Sequence, residues 1–243
     1  MSTKIFRLPK RFIKRLIRRS MIDRIRALYD QKDYLEAYSR HTDIRVERDP
    51  HSAVGGMWEQ IGQLQFDFLV NHGLEPNHKL LDIGCGTLRG GRHFITYLVP
   101  GNYTGIDISS KAIEYAKQLV QEENLLHKYP RLLVNENRDL KFKEFEGETF
   151  DYVLAQSVFT HLKPQHIEEC FRYIGKVMKE SSVFFFTFHK ASRFRKSGVK
   201  RFSYPSSFFE NLAEQYGFEV DDSSGDYNHP KGQRMVQMTK KRE

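Results

Sequence analysis

Leu80-Leu81-Asp82-Ile83-Gly84-Cys85-Gly86-Thr87 is the stretch that decides the reading of this 243-residue chain. An apolar run enters a turn with two glycines at alternate positions. Glycine takes backbone dihedrals closed to other residues and lets a ligand approach the main chain. Asp82 ends the apolar run just before the glycines, where a carboxylate can face a cationic ammonium group. Gly105-Ile106-Asp107-Ile108 then places an acid at the end of the following strand, suited to ribose hydroxyls. A glycine-rich turn alone also serves nicotinamide and flavin proteins. Asp82 ahead of the glycines argues against a nicotinamide oxidoreductase.

Outward from that turn, strand and helix signals alternate. Helices are expected over 57–72, 89–98, 110–124, 164–179 and 205–216. Strands are expected at Lys79–Ile83, Tyr103–Ile108, Arg131–Asn135, Phe150–Ala155, Ser182–Phe188, Phe218–Asp221 and Met235–Thr239. The run Ser182–Phe188 is continuously apolar, as expected of a strand covered on both faces. This alternation predicts an α/β domain with a mostly parallel sheet, whose ligands bind at the carboxyl ends of the strands.

On four motifs in order, the chain resembles the class I S-adenosylmethionine-dependent methyltransferases over roughly residues 57–239. LLDIGCGT is similar to their first motif and TGIDIS to the acidic second. Asn137-Arg138-Asp139-Leu140 falls at the adenine loop, and Phe150–Ser157 at the fourth-strand motif. The resemblance implies a Rossmann-like fold, with a seven-stranded sheet whose last strand is antiparallel, and S-adenosyl-L-methionine as cofactor. It implies that Asp82, Gly84, Cys85 and Gly86 hold the methionine end, Cys85 through its backbone. Asp107 and Ile108 would hold the ribose, Asp139 and Leu140 the adenine, and Gln156 and Ser157 the space beside the sulfonium. Where the family often has a third glycine this chain has Leu88, so the loop is expected to bend later. The Leu88-Arg89-Gly90-Gly91 run, Gly55–Trp58 and His229–Gln233 resemble a bacterial subgroup linked to surface polysaccharide or secondary-metabolite pathways.

S-adenosylmethionine brings an activated methyl group, so the protein must align a nucleophile and exclude water. A hydroxyl nucleophile also needs a proton acceptor. His161, after the fourth strand, is the first candidate and His189, ending the fifth, the second. Trp58 and His229 are candidate substrate contacts; Gln65 is placed on a solvated helix face. The segment Phe194–Tyr204 reads as a substrate lid, an anion-binding loop or a solvated loop. The histidines lack the paired spacing of a metal site. The expected activity is methyl transfer to a small-molecule or glycan acceptor, most simply a hydroxyl oxygen. The alternative is a non-catalytic cofactor-binding or membrane-associated adaptor.

Charge separates the chain into parts. Ten of its lysines and arginines fall in residues 1–28, against Asp23 alone, while the net charge of the whole chain is +8. Residues 29–243 are therefore close to neutral. Residues 1–28 read as a basic amphipathic helical extension, with Ile13, Ile17, Met21, Ile25 and Leu28 on one side. It suits an anionic membrane surface, or packing on the domain or a partner. Residues 29–56, polar and broken by Asp49-Pro50 and Gly55-Gly56, read as a linker or lid, and 57–243 as the main domain. No apolar run reaches the ~18 residues of a transmembrane helix. Two cysteines, Cys85 and Cys170, fit a cytoplasmic setting, peripheral on a membrane's inner face if the extension binds lipid. Nucleic acid is not expected as a partner: residues 156–160 read Gln-Ser-Val-Phe-Thr, not the Asn/Asp-Pro-Pro-aromatic motif of amino methylation. Oligomeric state is left open.

Overall fold

The computed structural model describes residues 10–241. Seven strands form one sheet: β1 (Leu80–Ile83), β2 (Tyr103–Asp107), β3 (Arg131–Val134), β4 (Phe150–Ala155), β5 (Met178–Phe188), β8 (Phe218–Asp221) and β9 (Arg234–Lys240). Their order is β3-β2-β1-β4-β5-β9-β8. All neighbours pair in parallel except β9, which is antiparallel to both β5 and β8. Strand order reverses between β1 and β4, so the chain leaves these two strands in opposite directions and a cleft opens at their carboxyl ends.

The all-apolar stretch of β5 explains the layers. Successive strand side chains point to opposite faces. Phe184, Phe186 and Phe188 pack with α7 (Pro164–Ile174) and α8 (Ser206–Tyr216), through Phe171 and Phe209. Phe185 packs on the other face, with Phe68 and Leu69 of α4 (Trp58–Asn71), Phe94 of α5 (Gly91–Tyr97) and Leu119 of α6 (Ser110–Glu122). Each fully buried phenylalanine contributes roughly 1.5–3 kcal/mol of apolar burial.

Three local differences from the sequence expectations bear on the site. The stretch expected as a polar linker contains a helix, α2 (Tyr34–Arg48), and a short one, α3 (Pro50–Ala53). Asp33 caps the start of α2 by accepting from the Leu35 amide, and Asp49 caps α3 through the His51 and Ser52 amides. The buried side of α2 includes Ser39, His41 and Asp43, each with a hydrogen-bond partner, so no apolar period marks it. The helix expected over 164–179 stops at Ile174. A 3-10 turn follows, and β5 starts at Met178 with a register shift opposite β4 between Phe150 and Tyr152. There the Ser182 hydroxyl accepts from the Lys179 amide and donates to the Phe150 carbonyl. Finally, part of Phe194–Tyr204 forms a two-stranded hairpin, β6 (Arg195–Ser197) and β7 (Arg201–Ser203).

The basic extension continues as a helix, α1 (Lys10–Gln31), ending against α2 where the Tyr29 hydroxyl meets His41 Nδ1 at 3.0 Å. Residues 1–9, and the side chains of Ile13 and Ile17 in the expected apolar stripe, lie outside what is described. Among the described residues no helix is long and apolar enough to cross a membrane.

Candidate functional site

A cavity of about 710 Å³ opens at the carboxyl ends of β1, β2, β4 and β5. It has two chemically different ends.

The first end is built on the turn after β1. Gly84 and Gly86 take φ of +71° and +57°, and Leu88 takes +66°. The bend at the position of the family's third glycine is therefore made in place by a leucine, not deferred as the sequence suggested. A side chain on Gly84 would meet Val158, and one on Gly86 would meet Val54, so the turn is tightly covered. The Cys85 sulfur packs beneath Gly105; burial pushes its thiol up, which makes it inert packing rather than a nucleophile.

Asp82 is buried and accepts from the Tyr103 hydroxyl at 2.8 Å. Burial outweighs that hydrogen bond and pushes its carboxyl up to about 7. Asp107 accepts from the Gly86 amide at 3.0 Å and the Ser109 amide at 2.8 Å. Its burial still wins, raising it to about 6. Ile108, Asp139 and Leu140 line the same end. The Leu140 amide donates to Glu169, and the Asp139 carbonyl accepts from Asn135.

Between the ends lies a polar network. Ser157, at a left-handed φ of +61°, donates from its amide to the Thr187 hydroxyl and from its own hydroxyl to Gln233. Thr187 donates to Gln233 at 2.7 Å, and Tyr227 donates to Gln156 at 2.9 Å. Backbone strain at a non-glycine residue persists only where its surroundings hold it; here β5 and the chain entering β9 hold Ser157.

The second end is roofed by α2, by hairpin β6–β7 and by the loop before β9. His161, His189 and His229 all line it. His161 Nδ1 lies 2.7 Å from the Lys200 carbonyl. A carbonyl only accepts, so Nδ1 carries the proton and Nε2 holds the lone pair in the neutral ring. Burial, then Lys200, hold this histidine down at about 3. His229 has the opposite tautomer: its Nδ1 accepts from the Lys231 amide, so Nε2 carries the proton. That Nε2 is buried with no partner, and burial with Arg89 lowers the ring to about 4. His189 is lowered by burial and Arg201.

Trp58, expected as a substrate contact, is not among the residues lining the cavity. It stacks on His51 with ring centroids 3.9 Å apart, under the Arg92 guanidinium. Gln65, expected on a solvated face, is instead buried and lines the cavity, against Gly90. Sequence reasoning missed Arg89, Thr187, Tyr227, Gln233 and the inner face of α2. On that face Leu35, Tyr38, Thr42 and Arg45 line the cavity at helical spacing. Arg89 is 6% exposed; it donates to the carbonyls of Val54 and Gly56, and its Nε has no partner. Among the described residues no cluster of His, Cys, Asp or Glu is arranged to hold a metal ion.

Strand order, glycine turn and strand-end acids define the Rossmann-like fold of class I methyltransferases. Residues 81–184 match the profile of the methyltransferase domain family. Among curated proteins, the chain is 29% identical over 114 residues to phosphoethanolamine N-methyltransferase of Plasmodium falciparum, covering 47% of this chain and 40% of that one. It is 32% identical over 111 residues to sterol 24-C-methyltransferase of Candida albicans, covering 46% and 28%. The match thus spans less than half the length of these relatives. Among solved structures, magnesium protoporphyrin IX methyltransferase of Synechocystis with bound S-adenosylhomocysteine superposes with a TM-score of 0.63 at 15% identity, over 86% of this chain and all of that one. Phosphoethanolamine N-methyltransferase 2 of Haemonchus contortus gives 0.65 at 15% identity, over 88% and 61%. At such identities the likeness is one of fold.

Proposed function

We propose that this protein is an S-adenosylmethionine-dependent methyltransferase that transfers the methyl group to a small-molecule or glycan hydroxyl by in-line displacement. The observation that carries this reading is the single cavity joining the glycine turn and its two strand-end acids to a histidine-lined chamber. The residues at the first end fit the cofactor's groups. Asp82 would face the ammonium, and Asp107, with lone pairs beyond its two amide bonds, the ribose hydroxyls. Asp139 and Leu140 would edge the adenine, and Gln156 and Ser157 the sulfonium. Arg89, buried and with an unpartnered Nε, would take the methionine carboxylate.

When bound, the cofactor supplies the activated methyl group. The chain supplies alignment, dryness and a place for the proton. His161 Nε2 is the lone pair that would accept a hydrogen bond from the attacking hydroxyl, with His189 as the neighbouring second candidate. The roof of α2 and the hairpin would keep water from the methyl group. The amine and carbon acceptors in the relatives' names belong to those proteins. The fixed tautomer of His161 presents an acceptor rather than a donor, which suits a nucleophile that must shed a proton, as a hydroxyl does.

Calorimetric titration with S-adenosylmethionine and S-adenosylhomocysteine tests the reading. Micromolar binding, weakened at least roughly a hundredfold by Asp107→Ala, is expected from the loss of charged hydrogen bonds to two hydroxyls. Folded wild-type protein that binds neither ligand would overturn it.

A further inference from the structure

The roof of the second end is unusually rich in unpaired positive charge. Arg45 comes from α2, Lys200 and Arg201 from the hairpin, and Lys231 from the loop before β9; all four line the cavity. None of them takes part in an ion pair among the described residues, whose pairs all lie elsewhere. Among the described residues these side chains donate to neutral backbone oxygens, Arg45 to the Ser52 carbonyl at 2.5 Å and Lys231 to the Gly55 carbonyl. Lys200 lies over the Tyr38 ring, 4.9 Å from its centroid. The cavity's acids, Asp82, Asp107, Asp139 and Glu144, belong to the other end.

Two further observations point to a ligand. His229 is 7% exposed, and its Nε2–H has no partner. A buried donor left without an acceptor costs free energy until a ligand supplies one. The cations also repel one another: Lys200 is lowered to about 7 by burial, Arg45 and Arg201. Gathering like charges around a cavity without a counter-charge is unfavourable, so an incoming anion would be stabilised by all of them at once.

We infer that the acceptor of the proposed methyl transfer carries an oxyanion, phosphoryl or carboxylate, held by Arg45 and Lys200 with His229 Nε2–H as a neutral donor and Arg201 and Lys231 at the rim. This inference rests on the methyltransferase reading for its word acceptor, but the anion site stands on its own geometry. The cations and His229 all lie outside residues 81–184, the part shared with the family profile. They come from the segments flanking that part, which roof the cavity. The cavity is of a size for a small molecule, so the anion is part of a soluble acceptor rather than of a polymer surface.

Inorganic phosphate and acetate are the probes, titrated into the full chain with and without saturating S-adenosylhomocysteine. Saturable binding of one of them is expected, weakened at least roughly tenfold by Lys200→Ala and by Arg45→Ala. Lys196→Ala, which removes the same charge from an exposed position on the same hairpin but outside the cavity lining, is expected to change it less than roughly twofold. S-adenosylhomocysteine affinity and thermal melting certify that each variant is folded. Equal losses in Lys196→Ala and Lys200→Ala, or no saturable anion binding by a protein that binds S-adenosylhomocysteine, overturn the inference and leave the methyltransferase reading intact. Anion binding that depends on Lys200 in a protein that ignores S-adenosylhomocysteine does the reverse. A parallel flotation with phosphatidylglycerol vesicles separates the sources: a Lys200-dependent interaction with vesicles but not with free phosphate or acetate would overturn the soluble acceptor.

Discussion

The two ends of the cavity are built by different means. The first is made chiefly by backbone: a turn of positive-φ residues and amides at strand ends, with buried Asp82 and half-buried Asp107. The second is made by long side chains reaching in from a helix, a hairpin and a loop, none of them part of the sheet. A backbone site recognises a constant ligand, because its geometry follows from the sheet. A site of reaching side chains can be changed residue by residue without disturbing the fold. The difference predicts that substitutions of the side chains lining the first end weaken cofactor binding, while those at the second alter acceptor use and leave the cofactor alone.

His161 stands at the junction and gives the largest expected effect. His161→Asn keeps a donor near the Nδ1 position for the Lys200 carbonyl and removes the Nε2 lone pair. Turnover of an acceptor found by screening phosphorylated and carboxylated alcohols is expected to fall roughly 10²–10⁴-fold. S-adenosylhomocysteine affinity should stay within about threefold of wild type. Unchanged turnover would make His161 part of the hairpin's anchoring only. The proposed anion also bears on this residue: part of what holds His161 down is the charge of Lys200 and Arg45, which a bound oxyanion would offset.

A smaller effect separates the ends by their response to pH. In the free protein Asp82 is raised to about 7 and Asp107 to about 6, chiefly by burial. The folded chain therefore holds more protons than the unfolded chain between the ordinary value of 3.8 and those values. From these two groups it loses stability as pH rises through that window. A bound ammonium favours ionised Asp82, so binding releases protons below about pH 7, and affinity climbs, by roughly tenfold, up to about pH 8. Calorimetry in buffers of different ionisation enthalpy measures this release. Asp82→Asn is expected to weaken binding and to remove the Asp82 share of the proton release; identical release in wild type and variant would show that Asp82 does not face the ammonium.

How much was legible in the sequence follows the same division. The first end was readable because its determinants are local: Asp82, Gly84, Gly86 and Asp107 carry their chemistry in short strings, and the β5 phenylalanines announce a doubly covered strand. The second end was not. Arg45 lies on a helix whose buried side holds Ser39, His41 and Asp43. The Ser39 hydroxyl donates to the Ile108 carbonyl and Ser109 donates to Asp43, and these bonds fix α2 over the site. Polar burial satisfied by distant partners leaves no hydrophobic period to find. The hairpin was hidden for a related reason: with all three residues of β6 exposed, nothing in Arg195–Ser197 alternates.

Leu88 offers the finest test, because it sets packing against backbone strain within the first end. The residue is fully buried, and its side chain packs against Gly91, yet its φ is +66°. Holding a leucine in the left-handed region costs roughly 1–2 kcal/mol. Its buried side chain offsets that, since truncating a buried leucine to alanine typically costs about 2–5 kcal/mol. Leu88→Ala loses the packing and keeps most of the strain; Leu88→Gly loses slightly more packing and relieves the strain. Both variants are therefore expected to be destabilised in urea unfolding, with Leu88→Gly the more stable of the two by about 1 kcal/mol, the reverse of the usual order within regular structure. Both should keep S-adenosylhomocysteine binding within about threefold, because glycine supports the same bend and alanine is held in it by its neighbours. A Leu88→Ala protein as stable as Leu88→Gly or more so would mean that the turn relaxes without the leucine, and that its shape is imposed by Val54 and Val158 packing over Gly86 and Gly84 rather than by the sequence of the turn.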